Sequence, residues 1–153
     1  MIFRQPNLVL NGTKSQHRLP LKEGEELYII LLSGPKWVKP YANMHLDGAI
    51  IAVRHKDGRL KYAVGKDYAI QPPNQKSVGR FQITGIRCEH LRSINLDDVV
   101  AEGYCIDGKM DVMKAKNWYK ELWNSVQRHS EFRWKQNPLV CVMHMRPIKA
   151  REG

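Results

Sequence analysis

From Gly79 to Glu89 apolar and polar residues alternate: Phe81 and Ile83, then, after Gly85, Ile86 and Cys88. A period of two predicts a half-buried strand, and the glycine that resets its phase predicts a bulge. After His90-Leu91-Arg92-Ser93-Ile94 the pattern changes, and Asn95 to Gly103 predicts a short helix with both ends written in. Asn95 can cap it, with Asp98 three residues on. Asp97 and Asp98 suit its positive N-terminus, and Gly103 suits its stop.

The remaining segments fall into place around that unit. Met1–Leu10, apolar but interrupted by Pro6, predicts a turn of helix, and Asn11-Gly12 a turn. Thr13–Arg18 reads as polar and partly extended, with a break at Pro20 and a turn over Lys22–Glu25. Glu26–Leu32 predicts a strand buried on both sides. Ser33–Gly48, with two prolines and two glycines, reads as a long loop. Ala49–Arg54 and Leu60–Val64 flank Lys56-Asp57-Gly58, the pattern of a β-hairpin. Gln71–Gln75 and Tyr104–Asp111 read as loops. Ala115, Trp118, Tyr119, Leu122, Trp123 and Val126 form one stripe of a helix over Val112–Arg128. Leu139–Met145 predicts a last buried strand, ended by Pro147. Five or six mostly antiparallel strands and two or three helices, without regular β-α-β alternation, give an α+β class.

Length and composition narrow the picture. The 153 residues suit one domain, expected over 1–149 with a tail at 150–153, and 42% apolar residues argue against disorder. No apolar run approaches the ~20 residues of a membrane span, so the expectation is a soluble, cytoplasmic protein without a membrane partner. Cys88, Cys105 and Cys141 form no Cys-x-x-Cys pair and read as small buried hydrophobes of a reducing compartment. The six histidines show no ligand spacing, so neither a metal nor another cofactor is expected. No phosphate loop or Gly-x-Ser-x-Gly element is present.

The net charge of +10 is uneven: residues 1–80 carry 13 Lys/Arg against 6 Asp/Glu, and residues 109–153 carry 10 against 4. Between them, residues 81–108 carry 2 against 5. Two basic regions around an acidic middle suggest a positive face. Such a face attracts polyanions with salt-dependent affinity, although solvated basic faces are also common on proteins with no such partner.

Three stretches together resemble the ASCH family of the PUA-like β-barrels, and more closely its phage and prophage branch. They are the strand and helix ending Ala101-Glu102-Gly103, the element Gly12-Thr13-Lys14-Ser15-Gln16-His17-Arg18, and the close Leu122-Trp123 followed by Trp134-Lys135-Gln136-Asn137-Pro138. The order and spacing of this set carry the resemblance, which covers most of the chain. It implies a small PUA-like barrel with flanking helices. It also implies RNA or a modified nucleoside as partner. In ASCH amidohydrolases that deacetylate 4-acetylcytidine, the matching catalytic set is a lysine, a threonine three residues later and a glutamate at the end of the short helix. Here these positions hold Lys14, His17 and Glu102, so an imidazole replaces the hydroxyl.

The same residues have a plainer reading. A lysine near pKa ~10.4 is protonated at pH 7, and a nearby carboxylate keeps it so. Lys14–Glu102 therefore reads as an ion pair tying the N-terminal segment to the helix, as a ligand-contacting pair, or as a catalytic one. Arg18, Lys36, Trp37 and Arg80 are the candidates for phosphate and base contacts, since aromatic rings beside cations hold unstacked bases. Trp37 reads equally as a loop residue packed on the barrel. Trp118, Trp123 and Trp134 read as core, and Asn137 as the cap of a corner before the last strand. Three function classes stay open: a nucleic-acid or nucleoside binding module, a small amidohydrolase or nuclease, and an interaction protein without catalysis. Oligomeric state is not legible.

Overall fold

The computed structural model of the chain describes residues 1–31, 37–38 and 49–149, with the backbone alone at 29–31, 37–38 and 49–50. In chain order the elements are α1 (Pro6–Leu10), β1 (Gln16–Pro20), β2 (Glu26–Leu31), β3 (Trp37–Val38), β4 (Ala49–Arg54), β5 (Leu60–Ala63) and β6 (Asp67–Ile70). Then come β7 (Gly79–His90), α2 (Leu96–Ala101), α3 (Val112–Val126) and β8 (Leu139–Ile148). The strands form two four-stranded antiparallel sheets in the orders β1-β8-β7-β6 and β3-β2-β4-β5. This is an α+β architecture of two sheets curled around a shared core, with eight strands among the described residues rather than five or six.

The extra strands are β3, two residues long, and β6, whose Asp67-Tyr68-Ala69-Ile70 is too short for its alternation to register. The chain passes from one sheet to the other just before β6, where the Gly65 N–H donates to the Ile83 carbonyl (2.8 Å) and the Ile83 N–H to the Lys66 carbonyl (3.1 Å). β2 departs from expectation as well: Glu26, Leu27 and Tyr28 are half-buried, so at this end the strand is not covered on both sides. β8 runs on through Pro147. β1 flanks it only between Val140 and His144, so the proline, with no N–H to donate, sits where one side of β8 is open.

The expected bulge in β7 lies between Ile83 and Gly85. It has a packing consequence. Ile83 and Ile86 are three apart and would face opposite sides of a regular strand, but with one extra residue between them both join the same cluster. That cluster also holds Phe3, Val9, Val53, Ile70, Phe81, Cys141, Met143 and Met145. A second cluster on the other side of β8 unites Val140 and Val142 with Leu91, Ile94, Val99, Ala115, Tyr119 and Trp123. Cys88 and Cys141 face each other across the β7–β8 ladder as free, buried thiols, whereas Cys105 is exposed.

α2 is capped as its sequence predicts, and α3 is capped as well. Asn95 Oδ1 accepts from the Asp98 N–H (2.8 Å), and Asp98 Oδ2 accepts from the Asn95 N–H (3.1 Å). Asp111 Oδ1 accepts from the Lys114 N–H (3.1 Å) at the start of α3. Asn137 takes a left-handed conformation (φ 49°) before β8, and its Oδ1 accepts from the Arg92 N–H (2.8 Å). It makes the corner between the two segments.

Candidate functional site

Four of the residues singled out above meet because the turn after α1 is tied down at every step. Gly12 takes a left-handed φ of 80°, open to glycine at little cost, so the chain reverses. The Thr13 N–H donates to Asn11 Oδ1 (2.9 Å), and the Lys14 N–H returns to the Leu8 carbonyl (2.8 Å). The Ser15 N–H donates to the Ala101 carbonyl (2.9 Å), and the Met145 N–H donates to the Ser15 carbonyl (2.8 Å). This segment is thereby clamped between the end of α2 and β8. Gly103 closes α2 at φ 112° against Leu8, whose Cδ1 would lie 3.1 Å from any added Cβ. A side chain there would push α1 away from Lys14.

Lys14 Nζ donates to Glu102 Oε2 at 2.5 Å and to the Glu102 carbonyl at 3.2 Å, both residues buried. Burial pushes the Glu102 carboxyl up from its ordinary value, opposed by the charges of Lys14 and Arg18. Arg18, alternate on β1, has a side chain with no solvent exposure. Its Nη2 donates to Glu89 Oε1 (2.5 Å) and Asp98 Oδ2 (3.2 Å), while its Nε lies 3.8 Å from Glu102 Oε1. Asp98 is the hub. Gln16 Nε2 and Arg87 Nη2 each donate to its Oδ1 at 3.0 Å. Burial raises the Asp98 carboxyl, yet the hydrogen bonds from Gln16 and Asn95 and the charges of Arg18 and Arg87 hold it below its usual range. Arg87 also donates to Glu89 Oε1 (3.1 Å), and its Nη1 lies 2.6 Å from His144 Nε2. Burial, then the Arg87 charge, lowers the His144 pKa; the ring is neutral, with Nε2 the acceptor and its proton on Nδ1. Lys14, Arg18 and Arg87 thus balance Glu89, Asp98 and Glu102 in one connected network.

One end of this network opens on a cavity of about 460 Å³, within the ~300–1,000 Å³ usual for small-ligand sites. Lys14, His17, Arg18, Glu102, Tyr119 and Trp123 line it. β1 is an edge strand of its sheet, so the cavity along its free side meets both faces. That is how His17 and Arg18, adjacent and oppositely directed, both reach it. The His17 ring lies 4.9 Å from that of Phe3, and burial, then the charges of Lys14 and the N-terminal amine, keeps it well below its usual pKa and neutral. At the mouth Arg4 donates to Ser125 Oγ and to the Ser125 carbonyl, each at 3.2 Å, joining the N-terminal segment to α3.

Several buried polar atoms at this place have no hydrogen-bond partner: Arg18 Nε and Nη1, Glu102 Oε1, His17 Nδ1 and Gln16 Oε1. Buried donors and acceptors are costly when unmet, at about 1–3 kcal/mol each. A donor set on Arg18 beside an acceptor on Glu102 suits a neutral polar group carrying both an acceptor and an N–H. Tyr119 adds a phenol. Burial and the neighbouring Glu102 charge raise its pKa well above the usual value, so it remains a protonated hydroxyl. The helical stripe marks Tyr119 only as apolar; its hydroxyl end is the functional part that periodicity does not register.

The other candidates lie elsewhere. Arg80 sits at the β6–β7 end of the sheet with its guanidinium on the Asp67 carbonyl (3.2 Å). Lys36 and most of the Ser33–Gly48 loop lie outside the described residues, as does the side chain of Trp37. Among the described residues no group of three or more His, Cys, Asp or Glu could hold a metal ion, and no helix is long and apolar enough to cross a membrane.

Comparison with known proteins adds little to this geometry. A scan against family models finds no match, and neither does a search of curated proteins. Among solved structures, the high-resolution crystal structure of the ASCH domain from Lactobacillus crispatus JV V101 aligns with 93% of this chain and 69% of its own. The identity is 14% and the TM-score 0.46, so the fold rests on the strand order above and the ligand on the site itself.

Proposed function

We propose that this chain is a recognition module of the ASCH/PUA-like type whose cavity holds a nucleoside, free and modified or carried by RNA. The observation that carries the reading is the buried Arg18 guanidinium, with Nε and Nη1 unpartnered beside the unpartnered Oε1 of Glu102. A base edge presents an acceptor and an N–H side by side and would meet both once the side chains that cover them move aside. The rings of Phe3, Tyr119 and Trp123 supply apolar walls, and the surplus of +10 favours the approach of a polyanion.

A second reading has its own observation. The Lys14–Glu102 contact of 2.5 Å joins an amine to a carboxyl that burial pushes toward holding its proton. Such a pair could move a proton during hydrolysis of an acylated base, which would make the chain a small amidohydrolase. The two readings part in one experiment. Wild type and Lys14→Ala are incubated with 4-acetylcytidine and followed by chromatography, and nucleoside binding is measured by calorimetry. We expect wild-type binding without turnover, weakened at least tenfold in Arg18→Lys. Free cytidine from wild type but not from Lys14→Ala would favour the hydrolase. Neither binding nor turnover would overturn both.

A further inference from the structure

The polar network has a second end. Beyond Asp98, on the side away from Lys14, lies a separate cavity of about 620 Å³ lined by Ile51, Val64, Ile86, Arg87, Glu89, Asp98 and His144, with Thr84, Gly85 and Asn95 at its rim. No sequence motif points to it. Its residues come from β4, the segment after β5, β7, the N-terminal end of α2, and β8. The register shift at Gly85 falls on β7 at the lining of this cavity.

The chemistry of its lining is mixed in a particular way. One wall is aliphatic (Ile51, Val64, Ile86), and the opposite wall carries hydrogen-bonding groups whose partners leave some capacity over. Glu89 spends Oε1 on Arg18 and Arg87, so Oε2 remains an open acceptor. Arg87 spends Nη1 and Nη2, so Nε remains a donor. Asn95 uses only Oδ1 as the helix cap, leaving its amide N–H₂. These carboxylates are already balanced by two guanidiniums, so an ammonium ligand would meet as much repulsion as attraction. A phosphate would have to displace the same carboxylates from Arg87. A flat neutral group fits the lining. It would donate an amino hydrogen to Glu89, accept from Arg87 or Asn95, and lay one face on the aliphatic wall.

We propose that this second cavity is a base-binding subsite, selective for a nucleobase with an exocyclic amine. Together with the first cavity it accommodates two bases of one strand, one at each end of the Arg18–Asp98–Arg87 network. The inference rests on the nucleoside reading of the first cavity and extends it. Glu89 and Asp98 also hold Arg18, so neither is the right residue to change. Gly85 is. Its φ is not in the left-handed region, and a Cβ there would point at the His144 ring with its nearest atom at 3.4 Å, so a larger side chain projects into this cavity alone.

The test is an amide NMR titration of the full chain with cytidine, uridine and the dinucleotide CpC. Gly85→Leu and the milder Gly85→Ala would be compared with wild type, and thermal unfolding would confirm that each folds. With cytidine we expect two separate groups of shifting amides, one around residues 14–18 and 102 and one around 84–87 and 95–98. Uridine, lacking the amine, should leave the second group still. CpC should bind at least tenfold more tightly than cytidine, and Gly85→Leu should erase both that gain and the second group while keeping the first. Shifts confined to the first group would overturn this subsite and leave the proposed function standing. Shifts confined to the second would overturn the nucleoside reading of the first cavity and, with it, the pairing of two bases. A CpC gain that survives Gly85→Leu would also overturn it.

Discussion

On β8, Cys141, Met143 and Met145 turn toward an apolar cluster, while Val140, Val142 and His144 turn toward the side that carries Arg18, Arg87, Glu89 and Asp98. The same strands therefore build two faces by different rules. On the first, burial of area suffices and neighbours are interchangeable within limits of volume. On the second, each buried charge needs a named partner, and removing one leaves another exposed to a medium that cannot solvate it. The first face is apolar alone; the second carries an apolar cluster and the polar network side by side, and each cavity reaches one end of that network.

The sharpest way to break that contrast is Phe81→Ala, since Phe81 is fully buried among Phe3, Tyr68 and the aliphatic residues of the apolar cluster. We expect a loss of about 3–5 kcal/mol in urea denaturation. Next is Asp98→Ala, which strips Arg18 and Arg87 of a shared partner and should cost about 3 kcal/mol. Its signature is pH. Asp98 is held below its ordinary pKa, so its stabilisation is complete above the unfolded value of ~3.9 and fades as pH falls through the folded value. Wild type should lose this part of its stability on acidification, and the variant should not.

A smaller effect sharpens the comparison from within the polar face. Lys14→Met should push the buried Glu102 carboxyl further up, because burial already raises it and the Lys14 charge opposes that rise. Lys14→Met with Glu102→Gln should then cost less than the sum of the two singles, by about 1–3 kcal/mol in a double-mutant cycle. Asn95→Ala removes one cap and should cost about 1 kcal/mol. At the bottom of the scale, Arg59→Ala breaks an exposed pair with Asp57 and should leave the unfolding midpoint where it is.

What the sequence made legible follows the reach of its signals. The Asp57-Gly58 hairpin, the Asn95 cap, the α3 stripe and the β7 bulge all depend on neighbours within a few residues, and all are found. β6 escaped notice because four residues between polar turns carry no usable period. The resemblance at Lys14, His17, Arg18 and Glu102 picked out residues that do share one cavity. What it could not convey was the burial of Arg18, whose partners Glu89 and Asp98 lie 71 and 80 positions away. Read locally, Arg18 is a candidate for phosphate and base contacts; in the fold its charge is already matched. The second cavity depends on three strands, the segment after β5 and a helix end meeting, and no local pattern encodes that.

The pairing of β1 with β8 carries one more consequence. Gln16 lies opposite His144, so the sheet that bears the network is completed by strands from distant parts of the chain. Loops this long close slowly, and a nascent chain emerging from the ribosome meets its second half last. Until β8 arrives, β1 has no ladder and Arg18 has no roof. The chain must therefore hold Lys14 and Arg18 in water until residues 87–102 supply their partners, and dehydrate all six charges together once β8 closes the sheet.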